Sequence, residues 1–334
     1  MGVTIVIGGQ FGSEGKGKVA RFFAEQYHAS SVVRVGGINS GHTTIDQSGH
    51  PVVFRTLPTA AIDQSVNCIL PAGSYIDTNI LFQEISVSAI SLSQVKIHPN
   101  AVIISQKMAQ IEKENDLRNS IGSTVSGTGA AVAMRSLRDK ATILAKDVPE
   151  LKPFICDTTD FLREELNHGH EVLIEGTQGY GLSNLYSPYY PYATSRDTTA
   201  AAFLSEAGLS PFDVKHIVMV LRSYPIRVGG NSGPLSNEIS WDEVTALAKS
   251  HESICEYTSV TKTLRRVGLF DADIPLQAIK ANQPDQIVLN HLDYIAGAAD
   301  TISKNRELFI QKVQEMINEK INYIGLSPSS LYAV

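Results

Sequence analysis

Lys16 and Lys18 stand among closely spaced glycines in the run Gly8-Gly9-Gln10-Phe11-Gly12-Ser13-Glu14-Gly15-Lys16-Gly17-Lys18. An apolar stretch over residues 3–7 precedes the run and a helix-like stretch ending near Tyr27 follows it, so the order is strand, glycine-rich turn, helix. Such a turn points backbone N–H groups outward at a helix start, where the helix dipole and two ammonium groups favour a polyphosphate. The spacing from Gly12 to Lys18 satisfies G-x-x-x-x-G-K, but the next residue is Val19, where a Walker loop carries Ser or Thr for magnesium. The expectation is a P-loop-like nucleotide site that is not an ordinary P-loop.

Further chemistry-bearing residues fall where buried runs end. Gly36-Gly37-Ile38-Asn39-Ser40-Gly41-His42-Thr43 follows an apolar run at 31–35 and sets His42 at a sheet edge, where ligands collect. Hydroxyls and glycines crowd 121–129 ahead of a helix through 130–137, a combination that suits a phosphate. Glu175-Gly176-Thr177-Gln178-Gly179 closes a run at 171–174, and a tyrosine- and proline-rich loop at 186–192 leads into Thr194 and its neighbours. Residues 256–266 form a polar loop with adjacent Arg265 and Arg266, and Asn290-His291-Leu292-Asp293 ends a strand at 287–289.

Holding these loops together requires strands at 3–7, 31–35, 68–70, 102–104, 171–174, 216–221, 287–289 and 321–324, with 216–221 the strongest candidate for a central one. Segments 43–45 and 52–55 read as a hairpin. Helices are expected over 78–92, 107–117, 130–137, 157–167 with a stop at Gly169, 241–249 behind Ser240, and 303–317. No repeat or low-complexity linker interrupts the chain. The reading is one α/β domain over 1–334, a mostly parallel central sheet flanked by helices, with loop insertions.

The bulk numbers narrow the function class. A chain of 334 residues, 43% apolar and 19% charged, can bury a large core, and a net charge of −6 argues against broad binding of nucleic acid, so small molecules are the expected partners. Three distant cysteines fit a reducing compartment and give no metal-ligand spacing. No run approaches the roughly 20 apolar residues of a membrane span, and the first residues enter a strand instead of a signal peptide. A cytoplasmic protein with no membrane partner is expected.

The ordered set G-G-Q-F-G-S-E-G-K-G-K, G-G-I-N-S-G-H-T, I-G-S-T, E-G-T-Q-G, Y-P-Y-A-T-S, I-R-V-G-G, E-Y-T-S-V-T-K-T-L-R-R-V-G and L-N-H-L-D resembles adenylosuccinate synthetases over nearly the whole chain. The resemblance implies a homodimeric ligase that phosphorylates O6 of a purine nucleotide and then lets the amine of L-aspartate displace phosphate at C6. Such chemistry needs charge stabilisation by lysine, Mg2+ and backbone N–H groups, with no covalent nucleophile. It implies that Ser13, Glu14, Gly15, Lys16, Gly17 and Lys18 surround the donor's phosphates together with Gly41, His42 and Thr43. Gly41 would offer its carbonyl to magnesium, with Ser13 as the second metal donor, and His42 would be the catalytic acid at O6. Asn290, Asp293, Ser327 and Pro328 would hold the donor's base, with His291 in place of the usual lysine.

By the same resemblance, Ser13, Asn39, Thr124, Gln178 and Thr194 would meet the acceptor nucleotide, with Arg138 reaching across from the other subunit and Arg135 as its alternative. Thr124 and Thr194 are equally readable as helix caps. Val260, Thr261 and Arg265 would bind aspartate, the last through the planar donor fork that suits a carboxylate. Thr263 stands where bacterial members carry another arginine, which leaves Lys262 or Arg266 as substitutes.

One departure bears on the substrate. Position 13 is aspartate in the family, taking the N1 proton of IMP and binding magnesium, whereas this chain has Ser13, a far weaker base and ligand. A purine with a 2-amino group beside N1 needs the space that a carboxylate would fill. The chain therefore resembles the bacteriophage branch of the family, which implies dGMP as acceptor, ATP as donor, residence in host cytoplasm, and a water or Glu14 replacing the missing base. An ordinary IMP- and GTP-using enzyme, a nucleotide kinase and a non-catalytic GTPase-like protein are the alternatives.

Overall fold

Alternation of Val3, Ile5 and Ile7 with Val6 sends apolar side chains to both faces of the first strand, so it needs cover on both sides. The computed structural model describes residues 2–46, 48–63, 65–258, 262–297 and 301–334. In chain order these give β1 (Val3–Gly8), α1 (Lys16–Gln26), β2 (Ala29–Arg34), β3 (His42–Ile45), β4 (Pro51–Phe54), β5 (Asn67–Leu70), β6 (Tyr75–Ile76), α2 (Thr78–Ser88), β7 (Val95–Ile97) and β8 (Val102–Ile103). Then follow α3 (Gln106–Glu114), α4 (Leu117–Ile121), α5 (Thr128–Ser136), α6 (Thr158–Asn167), β9 (Glu171–Glu175), α7 (Ala200–Ala207), β10 (Val214–Arg222), β11 (Ile226–Arg227), β12 (Glu238–Ile239) and α8 (Trp241–Ala248). The chain closes with β13 (Arg266–Gly268), α9 (Asp273–Asn282), β14 (Gln286–Asn290), α10 (Lys304–Ile317), β15 (Tyr323–Ile324) and β16 (Tyr332–Ala333).

Nine strands form one sheet in the order β16-β15-β14-β10-β1-β9-β2-β5-β7. Every pairing is parallel except β15 with β16, so the sheet is mostly parallel as expected. With β1 central, the carboxyl ends of β1, β2, β9, β10 and β14 open on one edge, and every loop singled out at those ends meets there. Two apolar cores, one on each face, bury the strands between helices. Among the described residues no helix is long and apolar enough to cross a membrane.

Side-chain caps set several helix starts. Asp77 accepts from Asn79 N and Ile80 N, Asp157 from Thr159 N and Asp160 N, and Ser240 makes a capping box with Glu243. Three expected helices need correction, and two helices, α7 and α9, were not expected. The helix expected over 78–92 stops at Ser88, because Ala89 turns left-handed at φ 52°. The one expected over 107–117 divides into α3 and α4, with Asp116 at φ 50° between them. The helix expected at 130 begins at Thr128. Finally, α9 had no sequence signal strong enough to be read, since Pro275 interrupts its apolar pattern; proline is tolerated in a first turn, where no intrahelical N–H partner is lost.

Candidate active site

The loop after β1 is held from beneath by its own acid. Glu14 is fully buried; its Oε1 accepts from Gln10 N at 3.1 Å and Gly12 N at 2.8 Å, and its Oε2 pairs with Lys16 Nζ at 2.6 Å. Gly15 takes φ 87° to turn the chain into α1, and its Cβ would lie 2.8 Å from Asn290 Nδ2. Gln10 exchanges hydrogen bonds with the Arg222 backbone at 2.9 and 3.2 Å, which ties the loop to β10. Lys16, Gly15 and Gly17 line a cleft of about 770 Å³, the size of a nucleotide pocket. Lys18 does not: its ammonium donates to the carbonyls of Ser327 and Ser330 at 2.9 and 3.0 Å, so it braces the C-terminal turn instead of facing the phosphate space.

Ser13 also adopts the left-handed backbone, at φ 56°. Its Oγ accepts from Arg265 Nη1 at 2.7 Å and its carbonyl from Arg222 Nη1 at 2.9 Å. The expected head of the donor site and the expected aspartate arginine are thus in direct contact. Glu256 stands behind them, paired with Arg222 and accepting from the Tyr294 hydroxyl at 2.8 Å. Burial alone would raise that carboxyl, but Arg222 pulls it down to about 2, so it stays charged. Arg265 lines the cleft, whereas Arg266 is committed to Glu238 at 2.8 and 2.6 Å and to the Gly233 carbonyl; it is no substitute for the missing arginine. Val260 and Thr261 lie outside the described residues.

Across the cleft, Asn39, Gly41, His42 and Thr43 come together with Thr124, Gln178 and Thr194. Asn39 Nδ2 donates to Thr194 Oγ1 at 3.4 Å. Neither threonine caps a helix: Gly127 takes that position for α5 and Thr199 for α7, while Thr124 Oγ1 donates to Ser126 Oγ at 3.3 Å. Gln178 sits at φ 62°, a conformation uncommon for a non-glycine residue and found where a site over-determines the backbone. The start of α5 already holds a carboxylate, since Glu112 of α3 accepts from Gly127 N at 2.9 Å and Ala130 N at 3.1 Å. An incoming phosphate there is left the hydroxyls of Ser123, Thr124, Ser126 and Thr128.

Beneath His42 lies a polar cluster that no sequence argument had assembled. His42 Nδ1 is 2.5 Å from Glu175 Oε1, Arg34 Nη1 is 3.0 Å from the same oxygen, and Thr59 N donates to Glu175 Oε2 at 2.8 Å. Burial and the Arg34 charge hold the His42 imidazole down to about 3 in the ligand-free chain, so the ring is neutral. Glu175 opens the quoted E-G-T-Q-G segment, but its link to His42 spans 133 positions and has no local signature.

The remaining expected residues lie apart from this cleft. Asn290 donates through Nδ2 to the Glu14 carbonyl at 2.8 Å, while its Oδ1 is buried without a hydrogen-bond partner. Burial raises the Asp293 carboxyl. Neither Asp293, Ser327 nor Pro328 lines the cleft, and of the segment 290–293 only His291 does. Arg138 is exposed at φ 56° beyond α5 and outside the cleft of its own chain. Arg135 is occupied by the carbonyls of Ala72 at 2.7 Å and Asn100 at 3.0 Å. Glu14, with both oxygens engaged and no exposure, does not replace the missing base. As for magnesium, no group of three or more His, Cys, Asp or Glu among the described residues is placed to hold a metal. Ser13 Oγ and the Gly41 carbonyl are neutral oxygens, a donor set that fits an ion held mainly by substrate phosphates.

Known proteins resemble this chain in sequence and in fold. The adenylosuccinate synthetase family model matches residues 5–147 and 139–303. The adenylosuccinate synthetase of Methanococcus aeolicus is 36% identical, the match covering 98% of this chain and 97% of the relative. That of Pyrococcus horikoshii is 32% identical, with 97% and 96% covered. Among solved structures, cyanophage S-2L succinoaminodeoxyadenylate synthetase bound to dGMP and dATP as an energy donor is 28% identical, with a TM-score of 0.84 over 99% of this chain and 95% of that one. The fully ligated Plasmodium falciparum adenylosuccinate synthetase shares the fold, with a TM-score of 0.86 at 20% identity and complete coverage of both chains.

Proposed function

The chain belongs to the adenylosuccinate synthetase family, C–N ligases that join aspartate to a purine nucleotide, and from that premise we propose that its acceptor is dGMP and its phosphoryl donor ATP. The product is N6-succino-2-amino-2′-deoxyadenylate, a precursor of 2-aminoadenine for DNA. The observation that carries the reading is Ser13: at the head of the phosphate loop a short neutral hydroxyl, held by Arg265, replaces a carboxylate and leaves room for an amino group beside N1. The cyanophage relative, whose solved form holds dGMP, supports the same reading.

In this scheme O6 of dGMP attacks the γ-phosphorus, N1 gives its proton to water held against Ser13, and ADP leaves. The amine of aspartate then attacks C6, phosphate departs with the former O6, and the amine's surplus proton goes to solvent. Lys16 and the Gly15–Gly17 backbone hold the transferring phosphoryl group. Magnesium, held by the phosphates with Ser13 and Gly41 as protein donors, would neutralise charge there. Its presence would be read by phosphate release with and without added Mg2+. His42 meets O6; Asn39, Thr124, Gln178 and Thr194 hold the acceptor; Arg265, with Val260 and Thr261, binds aspartate. Asn290, Asp293, Ser327 and Pro328 take the donor's base. Arg138, exposed and outside its own cleft, would serve a second copy in a homodimer.

Phosphate release measured with dGMP, GMP and IMP, each with ATP, dATP or GTP and with or without aspartate, tests the proposal. Aspartate-dependent release with dGMP at least tenfold above that with IMP is expected. Preference for IMP and GTP, the substrates of the ordinary reading that the archaeal relatives' names favour, would overturn it.

A further inference from the structure

Glu175 ends β9 directly beneath the cleft, wholly buried, and its two oxygens serve different partners. Oε2 accepts from Thr59 N at 2.8 Å and lies 2.8 Å from Thr59 Oγ1, whose hydroxyl is equally 2.8 Å from the Gly17 carbonyl in the phosphate loop. Oε1 meets Arg34 Nη1 at 3.0 Å and His42 Nδ1 at 2.5 Å. An ionised carboxylate can only accept, so the Glu175 contact is a hydrogen bond in the tautomer that carries the proton on Nδ1. Arg34 lies along the same ring edge, 2.5 Å from Nδ1 and 3.3 Å from Nε2. A charge this deep costs several kcal/mol to desolvate, and an apolar pair at these positions would stabilise the fold as well or better. The cluster is therefore poorly explained by stability alone, and its shortest contact is to the histidine that faces the cleft.

We propose that Glu175 is a positioning residue for His42: by accepting the Nδ1–H it fixes the rotation of the ring, so that Nε2, which takes up a proton from solvent as charge develops on O6, is the nitrogen presented to the acceptor. Through Thr59 it also ties that orientation to Gly17, so the ring and the phosphoryl-holding loop keep one relative geometry. The inference rests on the role given to His42 above. Buried carboxylates that orient a functional imidazole are worth one to several orders of magnitude in rate elsewhere.

The test is a double-mutant cycle on the full-length protein: wild type, Glu175→Gln, His42→Asn and the double variant. Aspartate-dependent phosphate release is followed with whichever purine the wild type turns over, so the cycle can be read even if dGMP is not the acceptor. A wild type that never couples release to aspartate would fail the functional reading itself, before any variant is compared. In the wild-type background, Glu175→Gln is expected to lower kcat 10- to 100-fold while the KM values for both nucleotides stay within threefold. In the His42→Asn background the same change should cost less than threefold. Equal losses in both backgrounds, or an unchanged kcat in the single variant, would overturn the proposal. If Glu175→Gln does not fold with Arg34 left unmatched, Thr59→Val replaces it in the cycle: a kcat loss of three- to tenfold that disappears without His42 supports the proposal, and a loss that persists overturns it.

Discussion

Replacing Ser13 with aspartate separates the chemistry of the cleft from the stability of the loop. The residue sits at φ 56°, where aspartate is better tolerated than serine, so the backbone should accept Ser13→Asp and Tm should not fall. Its side chain is one atom longer and charged, and Arg265 Nη1 already donates to position 13 at 2.7 Å. Exchanging a neutral acceptor for a carboxylate roughly doubles the strength of such a bond, about 1 kcal/mol more. Arg265 would then be held away from the incoming aspartate, and the aspartate KM should rise about fivefold. At the purine, the longer side chain takes the space of the 2-amino group; crowding or leaving unpaired one such group costs about 1–3 kcal/mol, a 5- to 150-fold loss in kcat/KM for dGMP. IMP lacks that group and gains a base at N1, so its kcat/KM should rise. Phosphate release with the two purines in parallel reads the ratio directly. A ratio of dGMP to IMP unchanged within twofold, in a variant of normal Tm, would refute the steric argument and move the origin of specificity away from position 13.

Three further outcomes follow from the same geometry. Arg265→Lys keeps the charge but loses the planar fork, so the aspartate KM should rise at least tenfold while nucleotide KM values change little; equal effects on all three substrates would argue against its assignment. Gly179→Ala places a Cβ 2.4 Å from Glu14 Oε1 and 2.5 Å from Gly12 N, so the phosphate loop must shift: activity should drop more than tenfold and Tm by several degrees, measured by scanning calorimetry. Glu256, depressed to about 2 from 4.5, contributes stability that is present above about pH 4.5 and lost as pH falls through about 2. That contribution is at most about 3 kcal/mol, so acid unfolding of Glu256→Gln should show a shallower dependence over this window; an identical slope would show that the carboxylate is not held charged by Arg222.

Residue order alone was enough for the scaffold and the family. Short apolar runs located β1, β2, β9, β10 and β14, because a strand buried on both faces has to be apolar along its length, and glycines mark the turns after β1, β2 and β9. Ser240 announced a helix start because a cap is a contact between near neighbours in the chain. The same locality explains the failures: α9 was hidden by Pro275, and Asp116 in a left-handed turn splits what periodicity reads as one helix. Only the tertiary structure decided which side chains work together. Lys18 turned out to brace the C-terminal turn, Glu14 to clamp its own loop, and Arg266 to pair with Glu238, while Arg265 reached Ser13 across 252 positions and Glu175 reached His42 across 133. Spacing along a chain fixes the faces of helices and strands, but which charged groups meet at a sheet edge depends on strand order, and strand order is set by how the two apolar cores close over β1.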